Sequence, residues 1–287
     1  MRRVFYILLL FLFCNIFSQK LTVFNNNEAI INVLYETNLV TLKKGETKII
    51  RGDFKKVIIK EGKDFVQIVP IFLLSDEDLI LTFDKNNFIK FKGSKGDLHN
   101  FIVNEQHSIF YSNIIKYQEF YYKSNVQEVK NLSELVLSNY LNKVKVLNAS
   151  PLGVNDDRYK KIKKYVINDW LYSIFLFITG NKKLDNQSKE LLSYYFNNYM
   201  KNDINAYSCE FDSDYNVLSS IARYKDQLKI ILPEYDIRVK SQDDSVNQYL
   251  PVNCQKFYFI KKYNYFNHIN SPEQEFYKNV LKEKFND

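Results

Sequence analysis

The chain is poor in the residues that break regular structure and in those that carry most site chemistry. Its 287 residues include only 7 Gly, 5 Pro, 3 Cys, 3 His, 2 Met and 1 Trp. So few Gly and Pro exclude a disordered or low-complexity chain, and the 46% hydrophobic and 16% aromatic content is ample for a packed core. Three His argue against a zinc site, which needs three or four ligands on one face. No CxxC, G-x-S-x-G, H-E-x-x-H or Gly-rich phosphate loop occurs, so dithiol redox, serine hydrolase, zinc protease and nucleotide chemistries lack their usual signatures. We therefore expect no enzyme, no cofactor and no metal.

Long apolar runs are also missing. Arg2 and Arg3 precede VFYILLLFLFC at residues 4–14 and then the more polar NIFSQK, the three-part pattern of a secretory leader. As a helix this run covers roughly 16 Å, about half of a hydrocarbon core of roughly 30 Å. The expectation is a signal peptide over residues 1–18, cleaved near Ser18, and a periplasmic or extracellular mature chain with no transmembrane segment. Phe13 stands where lipidation of Cys14 would need a small residue, which argues against a lipoprotein. The later run WLYSIFLFI at 170–178 is too short to span and reads as buried helix. Formal charge is +7, falling to 7 − 2 = +5 without Arg2 and Arg3, an ordinary solubility surplus. With Cys14 removed, Cys209 and Cys254 remain, and in an oxidising compartment they are expected to form a disulfide.

Between residues 21 and 91 the segments LTVF, AIINVLY, TKII, KVIIK, FVQIV, LILTF and FIKF are rich in Val, Ile, Phe and Thr. Turn signals at 25–27, 43–45, 61–63 and 84–87 separate them. This predicts a small antiparallel β sandwich or open barrel over residues 19–94, with Gly45 and Gly62 at positive φ and the lysines of KKVIIK on a wet face without a ligand. Gly93 and Gly96 then let the chain turn, and Asp97 is placed to cap a helix. From there apolar residues recur at helical spacing, predicting an α-helical bundle domain over 95–287 and an α+β fold class overall. The stripes are Val129, Leu132, Val136, Tyr140 and Val144; Tyr159, Ile162, Val166, Trp170, Ile174, Phe177 and Ile178, closed by Gly180; a helix after Asp185 through Phe196 and Tyr199; and Val217 through Ile231, stopping before Pro233. A capping box at Ser271, with Pro272 at N1, opens a last helix through Phe285. Residues 256–266, KFYFIKKYNYF, fit neither period.

The segments Leu79 to Phe83, Phe91-Lys92-Gly93 and Asp97-Leu98-His99-Asn100-Phe101-Ile102 resemble the N-terminal, non-thioredoxin region of Bacteroidetes TlpA-like thiol-disulfide oxidoreductases. The likeness spans about residues 20–125 and departs at Asp76-Glu77-Asp78, where that family has Pro-Gly-Asp. It implies an exported protein and a small β domain. The W-C-x-x-C of the family's thioredoxin domain has no counterpart, because Trp170 has no Cys beside it. Oxidoreductase activity is therefore not carried over to any residue.

Other patterns have plain structural readings. Asp212, Asp214 and Asn216 start like a Ca²⁺ loop, but Val217 and Arg223 occupy the positions needing Gly and Glu, so helix capping explains them. His99 and His107, with Glu105 nearby, read as solvated or half-buried. YKKIKKY at 159–165 alternates basic and aromatic residues, yet export and a solvated helix face argue against nucleic acid. The Tyr-rich stretches are more suggestive. Tyr121, Tyr122, Tyr194 and Tyr195 are candidate surface aromatics that could meet a glycan or a peptide. The leading expectation is an exported, non-catalytic envelope protein that binds a partner, with a glycan- or peptide-binding module as the alternative.

Overall fold

The structure, a computed structural model, describes residues 19–35, 38–52, 55–61, 65–74, 77–83, 88–93, 95–149, 157–179, 183–240 and 244–285. Residues 1–18, where a leader is expected, Gly62 and Gly180 lie outside these residues. The fold is α+β, with two open four-stranded sheets followed by a helical region. The chain divides into two units, one of Met1–Ile109 with Leu141–Ile162 and one of Phe110–Tyr140 with Lys163–Asp287.

In the first unit the strands are β1 (Gln19–Phe24), β2 (Ile31–Tyr35), β3 (Asn38–Leu42), β4 (Thr47–Gly52), β5 (Lys56–Glu61), β6 (Phe65–Pro70), β7 (Asp78–Phe83) and β8 (Ile89–Gly93). One sheet has the order β4-β1-β7-β8 and the other β3-β2-β5-β6. Period-two alternation puts Leu21, Val23, Ile50, Leu79, Leu81 and Phe91 of the first sheet against Ile31, Val33, Leu42, Val57, Ile59 and Val69 of the second in one buried cluster. Pairing is antiparallel as expected, except that β1 and β7 run parallel. That parallel pair arises because the chain makes five strands, β2 to β6, between them and re-enters the first sheet in the direction of β1. Gly45 adopts φ +79° as anticipated.

Gly93 has φ +103°, and a Cβ there would lie 2.9 Å from the Asp78 carbonyl oxygen. Both the dihedral and the close backbone approach require glycine. Gly93→Ala is expected to cost about 2 kcal/mol or more, read as a lower urea midpoint at unchanged slope.

Helix α1 (Gly96–Asn100) follows, then a π-turn (Phe101–Glu105) and α2 (Gln106–Tyr111). Lys95, not Asp97, holds the N-cap position of α1, and Asp97 sits in the first turn. The helix docks on the edge strand β8. Asn100 Nδ2 donates to Phe91 O at 2.9 Å while Phe91 N donates to Asn100 Oδ1 at 2.8 Å, and Asn104 Nδ2 donates to Ile89 O at 3.0 Å. These amides satisfy strand-edge groups that would otherwise invite another chain.

The remaining helices are α3 (Ile114–Tyr122), α4 (Val126–Asn148), α5 (Asp157–Ile178), α6 (Asn186–Tyr195), α7 (Asp212–Leu228), α8 (Asp244–Asn247), α9 (Val252–His268) and α10 (Glu273–Phe285), with a π-turn at Phe196–Met200 and a 3₁₀ turn at Lys201–Ala206. The unit division passes through α4 and α5. The stripe Tyr159, Ile162, Val166, Trp170, Ile174 and Ile178 is buried along α5, with Lys160, Lys161, Lys163 and Lys164 exposed. Asp185 caps α6 by accepting from Ser188 N at 2.7 Å.

Two further helix boundaries differ from the sequence reading. Helix α7 ends at Leu228, where Lys229 enters the left-handed region at φ 55°, Ile230 N donates to Lys225 O and Lys229 N donates to Asp226 O. This Schellman closure stops the helix before Pro233 can act and leaves Ile231 exposed. At α10 the Ser271 hydroxyl pairs with Glu273, and Gln274 N is taken by the Ser271 carbonyl, so the expected capping box is not formed. Residues 256–266 are helical within α9. Aromatic rings cover several sides of that helix, and Phe259 packs with Val280 and Leu281 of α10, so no single stripe was legible.

Candidate functional site

The densest grouping of the anticipated tyrosines lies in the second unit, where residues of α4 and α6 meet. Tyr194 OH donates to Glu134 Oε1 at 2.9 Å, and Tyr199 OH donates to Glu134 Oε2. Lys130 Nζ pairs with Glu190 Oε1 at 2.6 Å and lies 4.9 Å from the Tyr194 ring centroid. Nearby, Tyr121 OH donates to Asp185 Oδ2 at 2.6 Å and shares a 2.7 Å hydrogen bond with Ser188 Oγ.

These contacts decide the chemistry available. Burial, helped by the bond to Glu134, pushes the Tyr194 hydroxyl up to about 12, and the same two causes raise Tyr199. Burial followed by the Asp185 bond raises Tyr121 as well. Burial alone would raise Asp185, but bonds from Tyr121, the Ser188 amide and hydroxyl, and the Gln187 amide hold it below the usual carboxylate range. At neutral pH the phenols are thus fixed donors, and Asp185 a fixed acceptor. Such pairs hold the rings in place and rigidify a helical surface.

The four candidate surface tyrosines separate. Tyr122 is 78% exposed, and Tyr121 and Tyr194 are half-buried. Tyr195 is not a surface residue: it is fully buried, 5.4 Å from Trp170 and 6.5 Å from Phe175 between ring centroids, with its hydroxyl 2.7 Å from Ser133 Oγ. Neighbours on a helix point about 100° apart, and here that step carries Tyr195 into the core beside Trp170 while Tyr194 stays at its edge. Glu134, Lys130 and Glu190 were missed. Their signal, charged residues four apart or four from a tyrosine, is common on any solvated helix.

Cys209 and Cys254 form a disulfide across a sequence separation of 45. Beside Cys209, Asp214 is buried and acts as an internal acceptor: Oδ2 takes Glu210 N at 2.8 Å and Phe211 N at 2.9 Å, and Oδ1 takes Asn168 Nδ2 at 2.6 Å. Burial raises its pKa, partly offset by these bonds. Asp212 instead pairs with Lys261 Nζ at 2.9 Å. The aspartates therefore order the start of α7. Among the described residues, no group of three His, Cys, Asp or Glu side chains is arranged to hold a metal ion, and no helix is long and apolar enough to cross a membrane.

The first unit holds a buried polar knot around the crossover from β6 to β7. Phe72 N donates to His99 Nε2 at 3.0 Å, Gln19 Nε2 donates to Leu73 O at 3.0 Å, and Leu74 N donates to Glu77 Oε2 at 2.9 Å. Arg158, 2% exposed, pairs with Glu77 and gives its Nε to Asn148 Oδ1 at 2.6 Å. His99 is fully buried, not solvated or half-buried as its sequence context suggested, whereas His107 is exposed. Because Nε2 accepts from Phe72, the ring proton belongs on Nδ1, 2.8 Å from the Lys95 carbonyl.

Burial lowers His99 to about 4 against the upward pull of the Lys95 carbonyl bond, with Arg158 lowering it further. The folded protein thus binds this proton less readily than the unfolded chain, whose imidazole titrates near 6.5. The stability His99 confers is full above pH 6.5 and is lost as pH falls through about 4, a change of about 3 kcal/mol. Urea melts at pH 7.5, 5.5 and 4 should show that loss in the wild type and much less of it in His99→Gln.

No family model, curated protein or solved structure matches the chain.

Proposed function

We propose that the protein is an exported, non-catalytic accessory module of the cell envelope that binds a partner protein. The observation that carries this reading is the Cys209–Cys254 disulfide, a bond retained in oxidising compartments and rare in reducing ones. The leader-like pattern of residues 1–18 and the resemblance of residues 20–125 to exported oxidoreductase N-terminal regions agree with it. The tyrosine–carboxylate cluster supports the non-catalytic half of the reading, since Glu134 and Asp185 spend their oxygens on internal phenols. In the native host, the mature chain is expected in the periplasmic or extracellular fraction with a new N-terminus near Ser18 and no thiol open to alkylation before reduction. A full-length cytoplasmic protein with both cysteines alkylated, or turnover of an ester or disulfide substrate by the purified chain, overturns the proposal.

The alternative, a glycan- or peptide-binding module, rests on the exposed Tyr122 ring, which meets Tyr121 edge to face at 5.8 Å. It requires glycan-array binding that Tyr122→Ala abolishes.

A further inference from the structure

Residues 234–240, EYDIRVK, form a charge palindrome in the second unit. Opposite signs stand at equal distances from Ile237, with Asp236 and Arg238 one step away and Glu234 and Lys240 three steps away. All four charged residues are exposed, whereas Tyr235, Ile237 and Val239 between them are part-buried, Val239 against the cluster of Phe259, Val280 and Leu281. That alternation is the period of extended backbone. Among the described residues, Glu234, Asp236, Arg238 and Lys240 have no ion-pair partner within the chain.

The stretch belongs to no sheet, yet one of its edges is closed as a sheet edge would be. Arg238 N donates to Gln255 Oε1 at 3.0 Å and Gln255 Nε2 donates to Asp236 O at 3.0 Å, so one carboxamide stands in for a neighbouring strand. Successive residues of an extended chain turn their amide groups to opposite edges, which points Ile237 N and O away from Gln255. On that edge Tyr235 N donates to Gln248 O at 2.8 Å, and among the described residues neither backbone group of Ile237 has a hydrogen-bond partner. The chain bends at Arg238 and Val239, which confines any added pairing to the few residues around Ile237.

We propose that this segment pairs with the same segment of a second copy of the chain, antiparallel and two-fold symmetric about Ile237. The two Ile237 residues then exchange N–H to O bonds, filling groups that the single chain leaves open. Asp236 faces Arg238 of the other copy and Glu234 faces Lys240, each twice, because a two-fold axis makes every contact reciprocal. Other occupants fit worse. A polyanion would meet two carboxylates beside the two cations, and a copy running parallel in register would set each charge against its own kind. A strip this short buries less than the roughly 800 Å² per partner of a standard interface, so the dimer is weak and depends on concentration.

Sedimentation velocity of the chain with its Cys209–Cys254 disulfide intact, from about 10 μM to about 1 mM, is expected to show a reversible dimer that salt weakens. Asp236→Arg and Arg238→Asp should each weaken it at least tenfold with unchanged circular dichroism spectra, since either one sets like charges together twice. Mixed in equal amounts, the two variants should dimerise with each other, because one chain then offers two cations where the other offers two anions. The double variant Asp236→Arg with Arg238→Asp should dimerise as the wild type does. A wild type that stays monomeric at about 1 mM overturns the proposal. So does a dimer that neither single variant weakens, or one that the mixture and the double variant fail to restore.

Discussion

Arg158→Met is expected to lower the unfolding free energy of the first unit by about 3 kcal/mol, the lower end of the range for stripping one partner from a buried ion pair. The lower end applies because the Glu77 side chain keeps 16% of its exposure and so retains some water. The cost comes from what is left behind. Glu77 keeps its bond to the Leu74 amide but loses the guanidinium that balanced its charge, and Asn148 Oδ1 loses the bond from Arg158. Methionine preserves much of the apolar stem, so the loss reports charge and hydrogen bonding more than volume. Adding Glu77→Gln to Arg158→Met should recover part of the loss, because it removes the uncompensated carboxylate. Urea denaturation of the four proteins of that cycle at pH 7.5 measures the coupling. Additive losses would show that the pair is not a stabilising unit.

Removing the disulfide has an expected effect of similar size in the second unit. Cys209→Ala with Cys254→Ala should cost up to about 4 kcal/mol, the loop-closure entropy released to the unfolded chain across a separation of 45. The bond ties the stretch ahead of α7 to the first turn of α9, linking segments that the chain itself connects only through residues 210–253. Both cysteines are buried. Reduction by dithiothreitol should therefore be slow under native conditions and accelerate with urea, because the reductant needs local opening. A thermal melt of the wild type should shift down on reduction to that of the double variant, which dithiothreitol should leave unmoved. Coincident melts for oxidised wild type and double variant would contradict the assignment.

Much of the architecture was legible in local pattern. Alternating Val, Ile and Phe segments between turn residues announced the strands before Gly93, and steps of three and four along Tyr159 to Ile178 announced α5. These readings hold because burying one side of a strand or helix imposes its own period on the apolar residues. Gly45 at positive φ and a helix following Asp185 were equally readable, since each answers to backbone sterics or apolar spacing within a few residues.

The misplaced features share a different origin. The closure of α7 at Lys229 uses a left-handed residue that is not Gly, so composition carried no mark of it. Helix α9 buries rings on more than one side because α10 folds back on it, which erases the stripe that would reveal a helix. The candidate site divided along the same line: Tyr122 is exposed where expected, whereas Tyr195 turned inward toward Trp170, an outcome of which neighbour faces each side of α6.

By itself the sequence determined where most strands and helices form, that the chain can bury a large core, and that cysteines were available to bond. Only tertiary structure decided that β1 pairs parallel with β7 and that His99 and Arg158 close over the β6–β7 crossover. Backbone sterics and hydrophobic period act over a few residues and are written in adjacent letters. Strand register and buried ion pairs depend on groups far apart in the chain, whose meeting is set by the free energy of the whole fold.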